Sequence, residues 1–157
     1  MTDPLLLKAM EARLRAHAPY SRFYVGCAIE SVDGDIVIGA NVENACYRLG
    51  VCAEQSALSA AQIAFGIGKV RRMAVVGGPI EGAADDAGDD AGHGVGDDAG
   101  PVTPCGGCRQ AIAEAALEGA GDVAIICANH KGGNALETSI SALLPESFAL
   151  PDRSAAN

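Results

Sequence analysis

The chain has no tryptophan and only three tyrosines and three phenylalanines, so few large rings are available to fill a core. Small residues, chiefly Ala and Gly, must do much of the packing. There is no run of Lys or Arg, and the formal net charge is -9. Both facts argue against tight binding to a phosphate backbone or to an anionic lipid surface. No apolar stretch could span a bilayer. The opening Met1-Thr-Asp-Pro lacks a basic start, and the run Leu5–Leu7 is too short for a secretory core. The cytoplasm is therefore the expected location. In that compartment the six cysteines read as ligands and buried thiols rather than as a disulfide framework.

At 157 residues, 49% of them apolar, the chain suits one globular domain covering 1–157 with a proper core. The acidity is uneven. Six of the twenty acidic residues lie in Asp85–Asp98, where Asp-Asp-Ala-Gly recurs at 85–88, 89–92 and 97–100. Gly and Asp disfavour both helix and strand, so 82–100 reads as a low-complexity surface loop inserted in the domain. A calcium loop is the sharper reading. It lacks the carboxylate order and the closing Glu of an EF-hand. His93, within the loop, reads as a solvated side chain.

Asp3 before Pro4 is an N-cap with Pro at the first helical position. Leu6, Leu7, Met10 and Leu14 continue at helical spacing, which predicts a helix over 4–17. Phe23–Ser31 and Ile36–Ala40 read as a hairpin around Val32-Asp-Gly-Asp. Asn41–Val51 is a loop entering a helix at about 52–66. Arg72–Gly77 is a strand, about 105–119 a helix, Val123–Ala128 a strand and Glu137–Leu144 a short helix. Helices alternating with apolar strands predict an α/β fold: one mixed sheet covered on both faces, with an antiparallel hairpin at its start.

Chemistry concentrates in two stretches, Cys52-Ala53-Glu54 and Pro104-Cys105-Gly-Gly-Cys108. Taken alone, Cys105-x-x-Cys108 is half of a structural zinc site, a redox pair, or a helix start with two buried thiols. Cys52 stands in the same context, at a loop-to-helix junction. Three thiolate ligands leave a fourth position open to water, which is the arrangement of a catalytic zinc. Glu54 follows Cys52 by two residues, about 200° around the helix, so it need not be a ligand. In the first turn it can aim a carboxylate at the activated water and carry its proton. The plainer reading of Glu54 is an acidic residue favoured by the helix dipole.

Joined, Cys-Ala-Glu and Pro-Cys-x-x-Cys form a cysteine variant of the zinc deaminase signature. Four further blocks accompany it: Ser21-Arg-Phe-Tyr-Val-Gly-Cys-Ala, Asn41-Val42-Glu43-Asn-Ala-Cys-Tyr, Arg109-Gln after the second cysteine, and Leu143-Leu-Pro-Glu-Ser-Phe. Over about residues 5 to 150, interrupted by the insert, the chain resembles the small homotetrameric cytidine deaminases. The resemblance implies a three-layer α/β/α sandwich, a Zn2+ cofactor held by Cys52, Cys105 and Cys108, and hydrolysis of cytidine and deoxycytidine to the uridines and ammonia. It gives Glu54 the proton shuttle to ring N3 and then to the leaving amine. The Ala53 N–H would meet the base edge, and the segment Asn41-Val42-Glu43 would hold the ribose, whose hydroxyls an Asn and a Glu can both donate to and accept from. Phe23 would line the pocket and Phe148 would reach a neighbouring subunit's site. Without the resemblance, both phenylalanines read as core.

Cys27 and Cys127 fall in predicted strands and read as buried small hydrophobes. Cys46 is a spare cysteine in the site loop. Gln55 departs from the family, which commonly has Arg there. Three thiolates on a divalent ion leave excess negative charge, which Gln55 can address with a hydrogen bond but not with charge, so a more basic water is expected. Two alternatives remain at this stage: a deaminase of a nucleoside antibiotic or free base, and an inactive zinc-stapled binding module. Asn41 and Glu43 weigh against a free base, which has no ribose, and Glu54 weighs against inactivity.

Overall fold

A computed structural model of the protein describes residues 3–80, 99–119 and 121–150. The elements run α1 (Pro4–Arg13), β1 (Tyr24–Ser31), β2 (Ile36–Ala40), α2 (Ala53–Ala64), β3 (Val70–Gly78), α3 (Gly106–Glu118), β4 (Ala124–Asn129), β5 (Leu136–Ser139) and α4 (Ile140–Leu143). The five strands form one sheet in the order β2-β1-β3-β4-β5. Only β3 and β4 pair in parallel; the other neighbours are antiparallel. The parallel pair requires a crossover on one face, and that crossover carries α3.

Alternation along the strands separates two cores. Cys27 and Ile29 of β1, Met73 and Val75 of β3, and Ile125 and Cys127 of β4 face α2 and α3. Ala28, Ala74, Val76 and Ala128 face the other way, onto Leu5, Leu6 and Ala9 of α1. The result is an α/β/α sandwich. Small residues make its close layers possible, as the composition implies. A Cβ on Gly26 would stand 2.0 Å from the Ala9 carbonyl oxygen, and one on Gly39 would stand 2.3 Å from the Ala57 nitrogen. Gly26 thus lets α1 lie directly on β1, and Gly39 does the same for α2 on β2.

The predicted N-cap is present: Asp3 accepts the Leu5 N–H at 2.8 Å, with Pro4 opening α1. The predicted helix over 4–17 is nevertheless too long. The α1 helix stops at Arg13 because the chain beyond it pairs with the site loop. The His17 N–H donates to Asn41 O and the Glu43 N–H to His17 O, at 2.9 and 2.8 Å. That loop is also less irregular than expected, since Val42 and Val51 exchange both backbone hydrogen bonds at 2.9 Å.

The predicted helix over Glu137–Leu144 is corrected more sharply. Leu136–Ser139 is the edge strand β5, its Thr138 opposite Ile125 of β4. Only Ile140–Leu143 is helical, with Ser139 as its N-cap. Backbone pairing with the open edge of β4 outweighs a helical pattern that amounts to little more than one turn. The Asp/Gly insert, as far as residue 98, and the tail from Pro151 lie outside the described residues.

Candidate metal centre

Cys52 is the N-cap of α2 and Cys105 the N-cap of α3, while Cys108 lies in the first turn of α3. The two helices therefore start at one place. Their first N–H groups have no partners within the helix and carry the positive end of its dipole. The three Sγ atoms lie within 4.8 Å of one another. All three cysteines are free thiols.

The sulfurs differ electrostatically. The Cys108 and Gly107 N–H groups face Cys105 and hold its thiol below the usual range. Desolvation, reinforced by the neighbouring Glu54 and cysteines, pushes Cys108 well up. Burial pushes Cys52 up as well. Burial thus opposes ionisation of Cys52 and Cys108, whereas a soft cation would hold all three as thiolates. Bonds of about 2.3 Å to a tetrahedral zinc would set the sulfurs roughly 3.8 Å apart, within reach of the observed spacing. The donor set fits zinc, and Cys52, Cys105 and Cys108 can hold it.

Glu54 is 5% exposed. Burial raises its carboxyl above the usual carboxylate range, against its own backbone N–H and the Cys108 thiol, which lower it. It shares a cavity of about 380 Å³ with Cys52, Ala53, Cys105, Asn41, Val42 and Glu43. The cavity therefore gathers seven of the ten site residues singled out from the sequence. Asn41 is fixed by β1: its Oδ1 accepts the Val25 N–H at 2.8 Å, and its Nδ2 donates to Phe23 O at 3.0 Å. Cys108 is buried and does not line the cavity.

Two residues fall elsewhere. Phe23 is half-buried and lines an adjoining cavity of about 370 Å³ beside Gly77 and Val102. Phe148 is 69% exposed, which overturns a core reading for it. Its backbone is clasped by Gln110, which donates to Phe148 O and accepts its N–H. Cys27 and Cys127 are buried in the sheet as expected, and burial raises the Cys127 thiol to about 11. Cys46 is exposed and stands apart from the sulfur cluster.

Sequence reasoning gave no role to Arg109. Its guanidinium donates to Pro104 O at 2.8 Å and Leu143 O at 3.1 Å, which ties the approach to α3 to α4. The available signal was its place directly after Cys108.

Residues 2–127 match the model of the cytidine and deoxycytidylate deaminase zinc-binding region. The cytidine deaminase of Sporosarcina psychrophila is 35% identical over 152 residues, covering 97% of this chain and 94% of its own. That of Halalkalibacterium halodurans is 37% identical over 148 residues, covering 94% of each. Among solved structures, the cytidine deaminase of Burkholderia pseudomallei superposes with a TM-score of 0.72 at 35% identity, covering 92% of this chain and 96% of that one.

Proposed function

This chain belongs to the zinc-binding cytidine and deoxycytidylate deaminase family, and we propose that it hydrolyses cytidine and deoxycytidine to uridine and deoxyuridine with release of ammonia. The observation that carries this reading is the single cavity lined by Cys52, Cys105, buried Glu54, Asn41 and Glu43. The first three suit water activation and the last two suit a sugar.

Cys52, Cys105 and Cys108 would hold the zinc, which would supply Lewis-acid activation of water. Glu54 takes a proton from the water that attacks C4 of the ring and delivers it to N3. It then carries the water's second proton to the departing amine, which leaves as ammonia. Both protons of the water are thereby placed, one on N3 of the product and one on the leaving group. A carboxyl raised by burial suits this work, since it must hold a proton and release it in one turnover. Ala53, the first residue of α2, offers the base edge a backbone N–H that the helix does not use. Asn41 and Glu43 meet the ribose, a contact that a free base cannot provide.

The same reading assembles the protein as a homotetramer in the cytoplasm. The assembly is supported by the exposed apolar residues Val42, Tyr47 and Val51 lining the cavity, of the kind subunits cover. Light scattering of the purified protein measures the assembly. The reaction is tested by following cytidine loss in the ultraviolet with and without a zinc chelator. Turnover that ignores chelation, or no turnover at all, would sink the proposal.

A further inference from the structure

Glu43 is not free to choose its direction. Its Oε2 accepts the backbone N–H groups of Tyr20 at 2.9 Å and Ser21 at 3.2 Å, and its Oε1 meets the Ser21 hydroxyl. The direction of that last bond is fixed by chemistry. Ser21 Oγ already accepts the Phe23 N–H at 3.0 Å, and a carboxylate can only accept, so the single hydroxyl proton goes to Glu43. The turn that makes this possible holds Arg22 at φ 55°, in the left-handed region that non-glycine residues seldom enter. On its other side Tyr20 packs edge-on against the Tyr47 ring, centroids 6.0 Å apart.

A carboxylate offers about four acceptor positions. The turn at 20–21 takes three of them, both on Oε2 and one on Oε1. The remaining position is on Oε1, the oxygen that Ser21 orients. We infer that Ser21 is a positioning residue for sugar recognition: its hydroxyl aims Glu43 so that one oxygen remains for one sugar hydroxyl. Ser21 lines a neighbouring cavity that shares Glu43 with the metal-site cavity and is not among the residues lining the latter, so it acts through Glu43 and not on the substrate.

This inference rests on the deaminase reading, and the experiment separates the two. Wild type, Ser21→Ala and Ser21→Thr are assayed as full-length zinc-loaded enzymes on deoxycytidine and on 2′,3′-dideoxycytidine, which differs from it in lacking the 3′ hydroxyl. The expected result for Ser21→Ala is a KM for deoxycytidine raised about tenfold with kcat within about twofold. Its kcat/KM on the dideoxy substrate should equal that of wild type, and Ser21→Thr, which keeps the hydroxyl, should restore the KM. An equal loss on both substrates makes the hydroxyl merely structural and overturns the inference, as does an unchanged KM for deoxycytidine. If wild type itself leaves deoxycytidine intact, the deaminase reading fails and the role of Ser21 fails with it.

Discussion

Gln55 Nε2 stands 4.0 Å from Cys108 Sγ, as a donor facing the most deeply buried sulfur of the cluster. An amide offers a dipole where a guanidinium would offer a full charge. Replacing Gln55 with Arg adds a positive charge beside the thiolates, which favours the deprotonated reactant. The acidic limb of the kcat/KM profile should therefore move to lower pH, by on the order of one unit. Superimposable profiles for wild type and Gln55→Arg would show that the charge balance at this position is immaterial.

Glu54→Gln keeps the volume and removes the proton carrier. Turnover should fall by a factor on the order of a thousand or more, while zinc content, measured by atomic absorption, stays at the wild-type level. A variant that loses its metal along with its activity would make Glu54 a ligand and not a shuttle.

Gly39→Ala places a methyl group 2.3 Å from the Ala57 nitrogen and 2.6 Å from the Ala53 carbonyl oxygen. Both atoms are helix backbone, so the helix itself must move. A loss of about 1–3 kcal/mol in denaturant unfolding is expected, together with weaker zinc retention, because α2 carries Cys52. Unaltered unfolding would mean that α2 can slide on β2 without cost.

Asp3 links the α1 cap to the sheet. Burial opposes its ionisation, but the Leu5 N–H and the Arg72 guanidinium outweigh burial and hold its carboxyl below the usual range. Arg72 also pairs with Glu30 at 2.9 Å. A carboxylate depressed in the folded state stabilises it fully above its unfolded value, and that contribution disappears as pH falls through the folded value. Asp3→Asn keeps a capping oxygen but not the charge. Urea unfolding should find it less stable than wild type at neutral pH, by at most about 1 kcal/mol for so exposed a pair, with the two converging in strong acid. A constant gap at all pH values would assign the effect to capping alone.

The sequence carried the chemistry of the site more openly than the path of the backbone around it. The cluster of Cys52, Cys105 and Cys108 is legible because a soft cation needs fixed residue types, and the helix starts that carry them announce themselves locally. Asp3-Pro4 marks its helix for the same reason. Leu136–Ser139 is not legible as a strand. Its partner is β4, and its own Glu137, Thr138 and Ser139 give no apolar alternation. The early end of α1 depends on His17 meeting Asn41 and Glu43, a pairing across the fold that no local pattern encodes. The Ser21–Glu43 bond is hidden in the same way, by a turn with Arg22 in an unfavoured conformation.

The two helix starts that face each other are about fifty residues apart along the chain, and this separation has a consequence for the metal. An ion gripping Cys52 and Cys108 would tie distant parts of the polypeptide together in the folded state, so that its binding free energy would add to folding stability. Its grip also joins the elements on either side of the insert, since the Asp/Gly segment lies inside the tied loop. Length added there lengthens a loop whose ends are already fastened, and the entropy of closing a loop rises only with the logarithm of its length. That part of the chain can therefore vary in length at little thermodynamic expense.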